Sequence, residues 1–218
     1  MRVVIAGGHG KIALRLARLL SARGDQPVGL IRNPDHESDL REAGAVPLVC
    51  DLEHAGLQEV AVCVEGGDAA VFAAGAGPGS GAARKDTMDR AGAVLLAEAA
   101  ERVRLRRFLL VSAMGLDRTD QDSVFAAYLR AKAGSETDLH SRDLDWTILR
   151  PGRLTDEPGT GRVRLGPPPL PRGAVSRQDV AQVLVALLDE PATAGLTLEL
   201  VGGDIPIRDA VATARQSN

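Results

Sequence analysis

The sequence predicts an α/β fold: a doubly wound, mostly parallel sheet covered by helices on both faces, with a small C-terminal portion. Two observations carry this. Short apolar runs alternate with stretches of helical spacing almost to the end of the chain, the pattern of parallel strands joined by right-handed crossovers. The first run, Val3-Val4-Ile5-Ala6, stops at Gly7-Gly8-His9-Gly10. It gives way to Ile12, Leu14, Leu16, Leu19 and Leu20, with Arg15 and Arg18 between them. The period thus changes from buried strand to amphipathic helix across a glycine turn. With 218 residues the chain is read as one domain, 1–218, able to bury a sizeable core.

Taken in order, a second strand is expected over 27–31, then a turn at Asn33-Pro34 and a helix to about Ala43. A third strand over 46–49 leads to Asp51, and a helix follows over 57–64. The fourth strand, 69–73, opens into the loop Ala-Ala-Gly-Ala-Gly-Pro-Gly-Ser-Gly over 73–81. A long helix over 86–102 carries Ala91, Val94, Leu95 and Ala99 at helical spacing. The fifth strand, 107–111, ends at Ser112. A helix over 123–140 and a sixth strand over 146–149 follow, the latter ending at Arg150-Pro151-Gly152. Residues 155–173 are dense in Pro and Gly and read as loop or short strand; about 153–175 would form the substrate side. Ser176-Arg177-Gln178-Asp179 has the layout of a capping box for a helix to about Asp189. A last strand over 197–201 and a short helix close the order.

Composition narrows the function. A net charge of −3 disfavours nucleic acid as the main partner. Arg102, Arg104, Arg106 and Arg107 read as a solvated helix end leading into a strand. Cys50 and Cys63 make neither a metal-ligand pattern nor a disulfide framework, so they read as small apolar fillers in a reducing compartment. No signal-peptide layout and no bilayer-length apolar run is visible, so a cytoplasmic location without membrane association is expected. Trp146 reads as core packing, and no role is assigned to His36, His54 or His140.

In an open parallel sheet, ligands sit at the carboxyl ends of the strands. The residues there form one set: Gly7, Gly8, His9 and Gly10, then Arg32, Asp51, Ala74, Gly75, Ser112 and Pro151. The first corner reads as Gly8-x-Gly10-x-x-Ala13 or Gly7-x-x-Gly10-x-x-Ala13, a dinucleotide fingerprint. Such a turn lets backbone approach a pyrophosphate and aims helix N-terminal amides at it. His9 would touch phosphate or fill a turn position. Arg32 stands where this architecture keeps its ribose selector; a planar fork suits a 2′-phosphate, so NADP(H) is expected ahead of NAD(H). Asp51 would either accept from the adenine amino group or serve as turn residue or helix cap.

Tyr128 and Lys132 lie four apart on a predicted helix and so share one face. The chain has one Tyr and only three lysines, Lys11, Lys85 and Lys132. An ammonium there would favour the phenolate and lower the phenol toward working pH, making a proton donor or acceptor for a carbonyl or alcohol. Ser112 could hydrogen-bond the same reacting oxygen. Arg153, Arg162 and Arg164 could hold an anionic group or be solvated loop charges.

Several segments together resemble an atypical short-chain dehydrogenase/reductase with a Rossmann-like fold. They are Gly7-Gly8-His9-Gly10, Asp89-Arg90-Ala91-Gly92, the run from Arg107 to Met114, Tyr128-x-x-x-Lys132, the run from Leu144 to Gly152, and Val175 to Ala181. More narrowly, the chain is similar to the small NAD(P)-binding group that includes biliverdin/flavin reductases and redox sensors of the NmrA type. The resemblance implies cofactor contacts at Gly7, Gly10, Lys11, Ile12, Arg32, Asp51, Leu52, Ala74 and Gly75. It implies nicotinamide contacts from Lys132 and the Pro151-Gly152-Arg153 turn. Ser112 and Tyr128 would take the substrate oxygen, and Lys132 the ribose and the tyrosine.

The expectation is an NADP-dependent oxidoreductase acting on a small carbonyl-like or conjugated molecule. A non-catalytic NADP(H)-binding sensor and a nucleotide-sugar epimerase or dehydratase are the alternatives. The latter is disfavoured by the little chain left beyond 155–173 for a substrate lid.

Overall fold

The computed structural model describes residues 1–77, 79–117 and 123–215; Pro78, within the loop expected after the fourth strand, lies outside them. The order is β1 (Arg2–Ala6), α1 (Lys11–Ala22), β2 (Gln26–Ile31), a 3₁₀ turn (Pro34–His36), α2 (Glu37–Glu42), β3 (Val46–Val49), α3 (Leu57–Val64) and β4 (Ala69–Phe72). Next come α4 (Ala82–Arg84), a π-helical turn (Lys85–Ala91), α5 (Gly92–Arg102), β5 (Arg107–Val111), α6 (Val124–His140) and β6 (Asp145–Pro151). The remainder is β7 (Arg153–Thr155), β8 (Arg162–Gly166), β9 (Ala174–Ser176), α7 (Arg177–Leu188), a 3₁₀ turn (Pro191–Thr193), β10 (Leu196–Gly202), β11 (Ile205–Pro206) and α8 (Ile207–Ala214).

Among the described residues the main sheet runs β11-β8-β10-β6-β5-β4-β1-β2-β3. It is parallel from β3 to β10, and β8 and β11 are antiparallel additions at one edge. A separate parallel pair, β7 and β9, aligns Arg153 with Ala174. This is the expected Rossmann-like α/β fold with a small mixed C-terminal portion. The helices lie on both faces because alternate strand residues point to opposite sides. Ile5, Val71 and Leu109 pack with α1, α7 and α8, while Val4, Phe72 and Leu110 pack with α3 and α5. Phe72 and Phe108 are fully buried, each worth roughly 2–3 kcal/mol of apolar transfer.

The predicted strands at 46–49 and 107–111 and the helix at 57–64 coincide with the observed elements. Ser176 Oγ accepts from the Asp179 amide at 2.9 Å, as a capping box requires. Two expectations about the elements need correction. The helix over 86–102 begins earlier and is broken into α4, the π turn and α5, because the π turn buries Lys85, Met88 and Asp89; a π segment leaves no distinct apolar period to read. The edge strand β11 is not expected at all; it pairs with β8, the short strand that the Pro/Gly-dense segment supplies in keeping with its reading as loop or short strand.

Arg107 is not solvated. Its guanidinium donates to Asp145 O at 2.8 Å, Leu187 O at 2.7 Å, and the Thr147 and Thr193 hydroxyls at 2.9 Å each, stitching β5, β6 and α7. Burial pushes it down to about 10. Trp146 is half-buried, tilted against His140 with ring centroids 4.8 Å apart. Cys50 is buried and Cys63 partly so; both are free thiols, and burial raises Cys50 to about 12.

Candidate active site

The sheet reverses its winding between β1 and β4, and the loops after those strands meet there. Such a switch point opens a crevice at the carboxyl edge. Gly7 has φ +75°, and a Cβ on it would fall 2.5 Å from Ala74 Cα. A Cβ on Gly8 would come within 2.8 Å of Gly29 Cα. The two loops and the neighbouring strand can therefore close on one another only through glycine. Gly10 caps α1 in an extended conformation, with its amide on Gly7 O at 2.7 Å. The amides of Lys11, Ile12 and Ala13 begin the helix without helical partners.

A cavity of about 460 Å³ opens at this corner, lined by Gly7, Gly8, His9, Gly10, Lys11, Arg32, Asp51, Leu52, Ala74 and Gly75 from the expected set. Cys50, His36, Arg84 and Met88 also line it, and no local pattern marks them as site residues. Its open amides, glycine-made concavity and flanking guanidinium groups fit a dinucleotide. Ile12 does not line it: its side chain is buried in the core, leaving only its amide for a phosphate.

The polar groups around this cavity are already engaged. His9 Nε2 meets Asp39 Oδ2 at 2.6 Å, and its ring stacks on His36 at 3.7 Å between centroids. Asp51 is in a turn, accepting from the Glu53 amide at 3.0 Å and pairing with His54 at 2.8 Å. Those hydrogen bonds outweigh burial and hold its carboxyl below the usual range. Arg32 is mostly exposed and reaches Glu53 at only 3.4 Å, while Arg84 holds the same carboxylate at 2.6 Å. Thus the carboxylate missing from the selector position in sequence is present in space, with its charge taken mainly by Arg84. Lys11 Nζ donates to Asp156 at 2.5 Å, and Asp156 also faces Arg15 and Arg177.

A larger cavity, about 890 Å³, lies further along the same sheet edge. Its walls include Met114, Phe125 and Tyr128, the Pro151-Gly152-Arg153 turn, and Leu170 with Arg172 from the segment before β9. The turn residues expected near nicotinamide therefore face this space and not the glycine corner. Ser112 directly precedes the lining residue Ala113. Its Oγ is enclosed and without a hydrogen-bond partner among the described residues. A buried hydroxyl in that condition is an acceptor and donor awaiting a ligand atom or water.

Behind Tyr128 lies a charge cluster that spacing only half revealed. Lys132 Nζ donates to Val111 O at 3.0 Å and faces Asp89 Oδ1 at 3.3 Å. Asp89 is fully buried; its other oxygen accepts from the Ala76 amide at 3.1 Å. Lys85, nearly as buried, donates to Gly77 O at 2.9 Å. The two ammonium nitrogens lie 5.6 Å and 5.9 Å from the Tyr128 ring centroid. One turn beyond Lys132, the buried Glu136 holds Arg150, with Nε to Oε1 at 2.9 Å.

The expected lowering of the phenol does not hold in this arrangement. Burial, reinforced by the Asp89 carboxylate, pushes Tyr128 up to about 12. Burial likewise pulls the Lys132 ammonium down, opposed chiefly by Asp89. Tyr128 is accordingly a neutral donor throughout ordinary pH. Asp89 and Lys85 were missed as functional candidates because they come from a π turn whose inward face has no sequence period.

Over residues 7–191 the chain matches the family model described as NAD(P)H-binding. It is 35% identical over 213 residues to YhfK of Bacillus subtilis (strain 168), described as an uncharacterized sugar epimerase, covering 97% of this chain and 99% of that protein. It is similar to a solved structure from Bacillus halodurans, provisionally described as an NAD-dependent epimerase/dehydratase. The TM-score is 0.90 at 36% identity, with 98% of this chain and 99% of that one covered. ChuY, an anaerobillin reductase from Escherichia coli O157:H7, superposes with TM-score 0.78 over 94% of this chain and 98% of its own; its 23% identity speaks for the fold alone.

Proposed function

Because the chain belongs to the NAD(P)H-binding family, we propose that it is an NADP(H)-dependent oxidoreductase of the atypical short-chain type, reducing a small carbonyl-like or conjugated molecule in the larger cavity. The observation that carries this reading is Tyr128: the chain's one phenol lines that cavity, neutral and backed by two ammonium groups. When bound, the reduced nicotinamide would supply a hydride to the carbonyl carbon. Tyr128 then gives its proton to the carbonyl oxygen, forming the alcohol. Lys132 and Lys85 offset the negative charge that develops on the phenol oxygen. Ser112 offers its unmet hydroxyl to the same substrate oxygen. Gly7, Gly8, Gly10, Lys11 and the α1 amides would hold the pyrophosphate, Ala74 and Gly75 the floor, and Asp51 with Leu52 the adenine side. Arg32 would leave its long contact with Glu53 for a 2′-phosphate.

The names carried by YhfK and the Bacillus halodurans protein support a second reading, a nucleotide-sugar epimerase, which would use the same tyrosine and nucleotide pocket. Net consumption of NADPH separates the two, since an epimerase regenerates its cofactor within each turnover. The test is NADPH absorbance loss across a panel of quinones, flavins, aldehydes and conjugated tetrapyrroles. The oxidoreductase reading predicts turnover with at least one class and a roughly hundredfold or greater fall in Tyr128→Phe. Undiminished turnover in that variant would remove the proton-donor role.

A further inference from the structure

We propose that the larger cavity selects an anionic substrate, with Arg153 and Arg172 as its anion-binding pair and the apolar wall of Met114, Phe125 and Leu170 taking the uncharged body. This names the substrate class for the site read above as catalytic, and it rests on that reading only for the placement of the reacting group at Tyr128.

The two guanidinium groups come from the same end of one small parallel pair. Arg153 begins β7 and Arg172 lies two residues before Ala174, its registered partner on β9. The segments are locked: the Arg153 amide donates to Gly173 O at 3.0 Å, and a Cβ on Gly152 would fall 2.4 Å from that same oxygen. The two side chains are thus carried on fixed backbone beside the same space.

Charge bookkeeping around the cavity favours an anion. Arg177 also lines it, but its Nη1 is on Asp156 at 3.0 Å. Glu199 is buried and accepts from the Leu170 amide at 2.6 Å. It also faces the charge of Arg150, whose guanidinium is on Glu136. Asp117 contributes one exposed carboxylate at the rim. Arg153 and Arg172 have no hydrogen bond or ion pair from their side chains among the described residues. Two unengaged planar forks beside a half-apolar cavity are suited to a carboxylate or phosphate oxygen pair. Phe125 stands 55% exposed at this wall, its ring 6.1 Å from that of Tyr128.

The anion could be the carboxylate of a conjugated acid or the diphosphate of a nucleotide sugar, and the experiment distinguishes these sources. Calorimetric titrations, with and without NADP⁺, would compare 4-formylcinnamate with its methyl ester, and UDP-glucose with glucose. Expected is a roughly tenfold or greater preference for the charged member of one pair. That preference should collapse in Arg172→Gln and in Arg153→Gln, and weaken with added salt. A carboxylate preference without UDP-glucose binding identifies the acid as the source, and the reverse identifies the diphosphate. Equal binding within both pairs, binding of none of the four, or a preference that survives both substitutions would overturn the proposal. Because heat of binding is read and not turnover, a protein that fails to oxidise NADPH still answers the question.

Discussion

The two cavities at the carboxyl edge of this sheet are made of different material. The smaller one is shaped by backbone: Gly7, Gly8 and Gly10 let β1, β4 and α1 close together around main-chain amides, with Arg32 and Arg84 at its flanks. The larger one is shaped by side chains drawn from α6, the end of β6, β7 and the segment before β9. A backbone-made site is fixed by whether a Cβ fits. A side-chain-made site depends on charges and on partners far apart in the chain. The first tolerates almost no substitution at its corners, and the second should lose function one interaction at a time.

The largest effect should follow Gly7→Ala. It combines a positive φ with a Cβ 2.5 Å from Ala74 Cα, so we expect a loss of about 3 kcal/mol or more in chemical denaturation and no measurable NADPH heat. Gly24→Ala is the control: its φ is +89° but nothing lies within 4 Å of the added carbon, so about 1 kcal/mol should be lost and binding kept. Equal losses in the two variants would break the contrast, since backbone strain alone would then suffice.

Next is Asp89→Asn. It removes the counter-charge of the buried Lys132 while keeping an oxygen for the Ala76 amide, and should cost about 3 kcal/mol unless Lys132 loses its proton. Since the chain has one tyrosine, phenolate absorbance in an alkaline titration reports Tyr128 alone. In the wild type its midpoint should lie near 12, set by burial and then by Asp89. Removing a negative neighbour makes ionisation easier, so the variant's midpoint should fall yet stay above the ordinary value of about 10, because burial persists. An unchanged midpoint would mean that Asp89 does not act on the phenol.

The smallest effect is expected from Arg32→Ala, at the exposed rim of the backbone-made cavity. NADPH affinity should fall about tenfold while NADH affinity stays put, as measured by competition binding. Parallel losses for both nucleotides would show that Arg32 is not a 2′-phosphate selector.

The same division explains what could be read in the sequence. Gly7, Gly8, Gly10, Ala74 and Gly75 were legible because strand ends and glycine corners are local events with a known consequence. Tyr128 and Lys132 were legible as a pair on one helical face, but the sign of the phenol's shift was not. It is set first by burial of the ring and then by Asp89, brought in by a π turn 39 residues before Tyr128 in the numbering. Arg153 and Arg172 become neighbours across the cavity only through the β7 and β9 register. Arg107 read as one of four similar arginines, and only the Thr147, Leu187 and Thr193 acceptors distinguish it. Glu53 was invisible as a partner of Arg32 because it lies 21 residues downstream, on the loop after the neighbouring strand.

Trp146 sits one residue into β6, whereas Tyr128 lines the cavity at the strand's other end, where Pro151 closes it. The molecule therefore carries two built-in optical gauges at opposite ends of its strands, and the chain contains no second indole or phenol to confuse them. Indole emission follows the integrity of the scaffold at a place no ligand of either cavity touches, while near-ultraviolet signals of the phenol follow events at the ligand edge. Unfolding and occupancy can thus be watched in the same cuvette without a label.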